Sequence, residues 1–151
     1  MLREDLQNRL KEAMKAKDTK TVNAVRLIIA GQKEKDVDAR GKGLEKATDA
    51  DLLAMMQSMI KQRNESIKIY MEGNRPDLAQ KEKDEIEVIS EFLPKQMTSS
   101  EIEAAIRSAI TEIGAAGVKD MGKVMGILKS KYAGQMDFGS ASAMVKNILA
   151  S

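Results

Sequence analysis

Lys119-Asp120-Met121-Gly122-Lys123-Val124-Met125-Gly126 is the stretch on which the reading of this chain turns. At helical spacing Met121, Val124, Met125, Leu128 and Tyr132 fall at i, i+3, i+4, i+7 and i+11, one apolar stripe suited to a small core. Lys119, Lys123 and Ser130 fall on the opposite face, with Gly122 and Gly126 one turn apart beside them. A glycine inside a helix costs roughly 1 kcal/mol relative to alanine, so two on an outer face ask for a reason. Either another backbone, protein or phosphodiester, approaches closely there while the lysines supply charge, or a neighbouring helix packs on the glycines. Spacing alone leaves both open.

The helical period continues on either side. Upstream, Thr98 and Glu101 form a capping box ahead of Ile102, Ala105, Ile106, Ala109, Ile110 and Ile113, and Gly114 or Gly117 ends that helix. Downstream, Gly134 breaks the chain before a last stripe of Ala141, Met144, Val145, Ile148 and Leu149. Toward the N-terminus, Leu2, Leu6, Leu10 and Ala13 mark a first helix and Val22, Val25 and Ile29 a second. The second is expected to fade into the charged stretch 36–46, with Arg40-Gly41-Lys42-Gly43 a mobile loop. Thr48 with Asp51 caps a long third helix through Leu52, Met56, Met59, Ile60, Ile67 and Met71. Gly73-Asn74-Arg75-Pro76 turns into a fourth, running through Leu78, Ile86, Ile89 and Phe92 until Leu93-Pro94 stops it.

No segment shows the alternation of a strand, so the fold class is all-α. Four longer helices precede a proline-marked boundary and three shorter ones follow, which predicts two tandem helical bundles at residues 1–93 and 94–151.

The long helices carry charge within their apolar stripes. Arg26 shares a face with Val22, Val25 and Ile29; Arg63 sits amid Met56, Met59, Ile60 and Ile67; Glu82 and Glu85 lie between Leu78 and Ile86. Two arginines and two glutamates turned toward one core are expected to pair, because an unpaired buried charge is very costly. Such a network fixes helix register; the rival reading is a ligand pocket, or a catalytic cleft, between the helices.

Composition removes whole classes of chemistry. The 151 residues include neither cysteine nor histidine. Disulfides, thiolate zinc sites, cysteine nucleophiles and every histidine-based triad are therefore excluded. No cofactor and no metal is expected. Four aromatics against eleven methionines leave little for a base-stacking platform, whereas methionine fills irregular helical cores. Net charge is +2, but residues 113–151 hold five lysines against Asp120 and Asp137, a small basic surface able to meet phosphate. The N-terminus has no apolar core of a signal peptide and no apolar run approaches 18 residues, so a cytoplasmic location without a membrane partner is expected.

Laid end to end, the segments resemble the bacterial YqeY family. The matching residues are Met14 to Asp18, Val25-Arg26-Leu27, Lys61 to Ile67, Gly73 to Ala79, Glu82, Glu85, Phe92 to Gln96, and Lys119 to Gly126. The resemblance implies an all-helical protein of two bundles. From about Leu93 onward the chain also looks like the tail domain of the B subunit of aspartyl/glutamyl-tRNA amidotransferase, a tRNA-handling appendage. It thereby implies tRNA as partner, and a family-level association with carbon–nitrogen ligation using glutamine as amide donor. A synthetase or amidotransferase is a second kind of partner the kinship implies. Lys119 and Lys123 match the start of the tail's basic helix, and a tRNA-backbone role passes to them, with Lys129 and Lys131 on the flanks. Gly134-Gln135-Met136-Asp137 departs from the more basic stretch expected next. Amide transfer itself needs a glutaminase nucleophile and an ATP phosphate site, and the chain has neither a cysteine nor a glycine-rich loop on a strand. The expectation is a non-catalytic, tRNA-associated protein, with a protein-docking module as the alternative.

Overall fold

Local signals at the helix ends account for much of the architecture. The computed structural model describes residues 1–151. It contains seven α-helices and a single 3₁₀ turn, with no strand: α1 (Leu2–Lys15), α2 (Thr19–Gly41), α3 (Asp49–Glu72), α4 (Pro76–Ser90), α5 (Ser99–Ile113), the turn Val118–Asp120, α6 (Met121–Lys131) and α7 (Phe138–Ala150). Both capping boxes form. The Thr48 hydroxyl accepts the Asp51 N–H at 3.1 Å while Asp51 accepts the Thr48 N–H at 3.0 Å, and Thr98 and Glu101 repeat the arrangement at α5. Each satisfies two amides that the first turn of a helix leaves without partners. Pro76 opens α4, where its missing N–H costs nothing. Gly114 closes α5 in the left-handed region at φ 65°, a conformation that favours glycine.

The chain divides into two compact units, Met1–Leu93 and Pro94–Ser151. In the first, α3 and α4 form an antiparallel hairpin, α1 packs on α2, and α2 lies against α4 and more sparingly against α3. Its core is built on Leu6, Val25, Ile28, Leu52, Met56 and Ile89. In the second, α6 is the central element, packed on both α5 and α7 over Ile106, Val124, Leu128, Met136 and Val145. Val124 and Leu128 are fully buried, so the stripe read from the sequence is the buried face of α6.

One boundary differs from expectation. Helix α2 does not fade at Asp36 but runs to Gly41, so Arg40 and Gly41 are helical and the loop begins at Lys42. The reason lies outside the helix. Asp36 and Ala39 face inward, and the Asp36 carboxylate receives Arg3 from α1 and the Ala47 N–H from the following loop. A residue that looks solvated in its own helix is buried by partners far away in sequence.

Candidate functional site

The exposed face of α6 begins with Lys119, which stands in the 3₁₀ turn rather than the helix itself. The Asp120 carboxylate accepts the Ala116 N–H at 2.9 Å, pinning the chain that enters α6. That hydrogen bond, opposed by desolvation and helped by the charges of Lys123 and Lys119, holds the Asp120 carboxyl below its ordinary range. Gly122, Lys123, Gly126, Lys129 and Ser130 are all exposed. At about 100° per residue they span a sector of roughly 120°, with Gly126 near its middle.

Nothing in the chain packs on the glycines: a Cβ built on Gly122 or Gly126 would meet no atom within 4 Å. Of the two readings the spacing left open, a neighbouring helix is thus absent. The contrast with Gly31 is direct, since a Cβ there would stand 2.8 Å from the Met55 sulfur. Gly31 is a true close-packing glycine between α2 and α3, and no periodic pattern around it marks it as one. Beside Gly126 runs a shallow groove of about 420 Å³, lined by Ile113, Lys123, Gly126, Ile127, Ser130 and Lys131.

The lysines are not equivalent. Lys131 pairs with Glu112 of α5 at 3.1 Å, an exposed pair. Lys119, Lys123 and Lys129 are exposed and take part in no ion pair.

The polar cluster of the first unit forms in part. Arg63 donates from Nε to Glu85 at 2.8 Å and from Nη1 to the Met59 carbonyl at 3.2 Å, and Glu82 lies 3.9 Å away. These side chains are only 14% (Arg63), 16% (Glu85) and 20% (Glu82) exposed. Arg26 does not join them: it is exposed and makes no ion pair. The inward face of α2 is centred on Ala24, Val25, Ile28 and Ile29. Arg26 lies more than 90° from that centre, on the flank that half-buried Val22 marks. A groove of about 790 Å³ between α2 and α3 includes Leu27, Gly31, Met55 and Arg63 in its lining, but not Arg26, Glu82 or Glu85. The carboxylates therefore do not face that open space, and Arg63 is committed to Glu85. The pair thus links α3 to α4.

The strongest polar constellation escaped the sequence reading. Arg3 grips Asp36 with two bonds of 2.7 and 2.6 Å and donates to the Ala47 carbonyl at 2.8 Å. Ala47 returns its N–H to Asp36 at 2.9 Å. The Arg3 hydrogen bonds, aided by Ala47 and opposed by desolvation, hold the Asp36 carboxyl far below the carboxylate range. The three residues are separated by 33 and 44 positions, and nothing local announces such a link. Its form is a structural clasp of α1, α2 and the loop before α3.

Fold and surface together define a class: an all-helical, two-unit protein without histidine or cysteine, bearing one bare glycine–lysine helix face. Residues 3–149 match the family model of Yqey-like proteins, and the chain belongs to that family. It is similar to altered inheritance of mitochondria protein 41, mitochondrial, from Lachancea thermotolerans, with 36% identity over 72% of this chain and 58% of that protein. The protein of that name from Candida glabrata shares 39% identity over 63% of this chain and 51% of its own length. That from Saccharomyces cerevisiae shares 33% over 65% and 51% respectively. The chain thus spans about half the length of the curated relatives it matches. These relatives are yeast proteins whose names place them in mitochondria. They lend no support to the bacterial and cytoplasmic setting expected from the sequence. No helix is long and apolar enough to cross a membrane.

Proposed function

We propose that this chain is a non-catalytic, tRNA-associated member of its family, and that the outer face of α6 is the surface that meets the phosphate backbone. The observation that carries the reading is the open space over Gly122 and Gly126. Two helix-weakening residues with no packing role inside the chain are accounted for by a partner that must come close to the helix backbone. Lys119, Lys123 and Lys129 supply the charge, and Lys131 lies at the edge. Likeness to the amidotransferase tail suggests tRNA as the nucleic acid. The carbon–nitrogen ligase association is then a matter of shared domain, with an amidotransferase or synthetase as the enzyme served.

Lysines on phosphates give affinity that is steep in salt and indifferent to base sequence. With three contacts, the slope of log K against log salt is about −2.7, or about 40-fold between 50 and 200 mM. Fluorescence anisotropy with bulk tRNA across a salt series tests this, using Lys119→Glu/Lys123→Glu as the control. Saturable, salt-steep binding lost in the double variant supports the assignment. Unchanged binding by that variant would refute it.

One feature favours docking on a protein instead: Ile113 and Ile127 make the groove beside Gly126 partly apolar. A protein partner held there would survive nuclease treatment of a lysate and depend little on salt. Retention of a synthetase or amidotransferase under those conditions would move the assignment to this reading.

A further inference from the structure

Glu112 stands in the last turn of α5, a place where a carboxylate faces the negative end of the helix dipole. That placement costs about 0.3–1 kcal/mol. Its ion pair with Lys131 is exposed, at 53% and 54% for the two side chains, and such pairs return about 0–1 kcal/mol. The two effects offset, so stability gives no account of Glu112. Its position does. Residue 113 and Lys131 both line the groove beside Gly126, so Glu112 borders the basic face and neutralises one of its four lysines.

Asp120, at the start of this face, is held by the Ala116 N–H and has a structural task. Glu112 has no hydrogen-bond partner besides Lys131. We infer that Glu112 is an attenuator of the α6 face: it keeps Lys131 out of phosphate contact, so that the face works with three lysines and holds a fourth in reserve. This rests on the α6 face being a phosphate-binding surface. A phosphate approaching Lys131 meets the Glu112 carboxylate, and the two anions compete for one ammonium. The device lowers affinity and flattens the salt dependence, favouring release over retention.

The test compares the full chain with Glu112→Gln, with Glu112→Gln/Lys131→Gln, and with Glu103→Gln, each titrated with bulk tRNA across a salt series. Glu103 is a matched control: it sits nine residues earlier on α5, on the opposite side of the helix, and is likewise in an exposed pair, with Arg107 at 3.0 Å. Glu112→Gln is expected to tighten binding several-fold at low salt and to steepen the slope by about 0.9, one phosphate contact. Adding Lys131→Gln returns both quantities to about the parent values, and Glu103→Gln leaves them in place. Equal tightening by Glu103→Gln and Glu112→Gln would reduce the effect to net charge and overturn the inference. So would a Glu112→Gln slope identical to the parent. Absence of tRNA binding by every protein, parent included, would instead bring down the phosphate-face reading on which this one stands.

Discussion

In Met1–Leu93 two arginines are drawn inward: Arg3 closes on Asp36 and Ala47, and Arg63 on Glu85. Arg9 adds a pair to Glu91, just past α4, and Lys20 one to Asp84 of α4. In Pro94–Ser151 the lysines of α6 stand in solvent, and of Lys119, Lys123, Lys129 and Lys131 only the last has a partner. Gly31 of α2 is seated against Met55, whereas Gly122 and Gly126 of α6 have nothing against them. A few charges of the first unit tie helices together, whereas three of the four lysines of the α6 face stand in no ion pair. Near-zero net charge conceals this, because it sums over two surfaces with different work to do.

The contrast can be broken or sharpened by substitution. The largest effect is expected from Arg63→Leu, which leaves Glu85 and Glu82 facing each other in a partly buried site. About 3 kcal/mol of stability is at stake by chemical denaturation, and a loss below about 0.5 kcal/mol would mean that the cluster is solvated. Gly31→Leu comes next, at about 2 kcal/mol destabilising, because the side chain must displace Met55 in the α2–α3 contact. Asp36→Asn removes a charge-assisted pair and is expected to cost about 1.5–2 kcal/mol at neutral pH. Its pH dependence has a definite sign. The folded carboxyl titrates below the unfolded one, so the stabilisation is complete above the unfolded value near pH 4 and lost as pH falls through the folded value. Urea midpoints measured downward from pH 5 should converge for the parent and Asp36→Asn proteins, and parallel curves would contradict the clasp.

Gly122→Ala and Gly126→Ala should act in the opposite direction. With nothing within 4 Å to collide with, each is expected to raise stability by up to about 1 kcal/mol, while the double variant weakens tRNA binding. Stability gained without any loss of binding would detach the glycines from the proposed surface. The smallest change belongs to Lys20→Ala, where an 80% exposed lysine should contribute less than about 0.5 kcal/mol in a melt.

What the sequence made legible was local. Caps at Thr48 and Thr98, the proline at the start of α4 and the left-handed Gly114 each depend on residues within a turn or two, and all were readable. The Arg63–Glu85 pair was readable because both helices carry strong stripes that fix their facing sides. Arg26 was misplaced because the centre of the α2 face depends on Ala24 and Ile28, both buried, rather than on Val22. The extension of α2 and the Arg3–Asp36–Ala47 clasp were beyond reach, since a partner 33 residues away leaves no mark on a helix's own pattern. On α6, sequence located the glycine–lysine face but could not show that Lys131 is engaged by Glu112, a residue on another helix.

The clasp also bears on the order in which the first unit assembles. Contacts of α1 with α2 and of α3 with α4 join helices adjacent in the chain, and such short closures form rapidly at small entropic cost. Tying Arg3 to Asp36 and Ala47 closes loops of 33 and 44 residues at the end of the α1–α2 pair farthest from its connecting turn, and is expected to be completed after the barrier. Weakening it is therefore expected to hasten unfolding while leaving the folding rate nearly unchanged. The three residues that fasten the first helix would thus govern how long the folded unit lasts more than how quickly it forms.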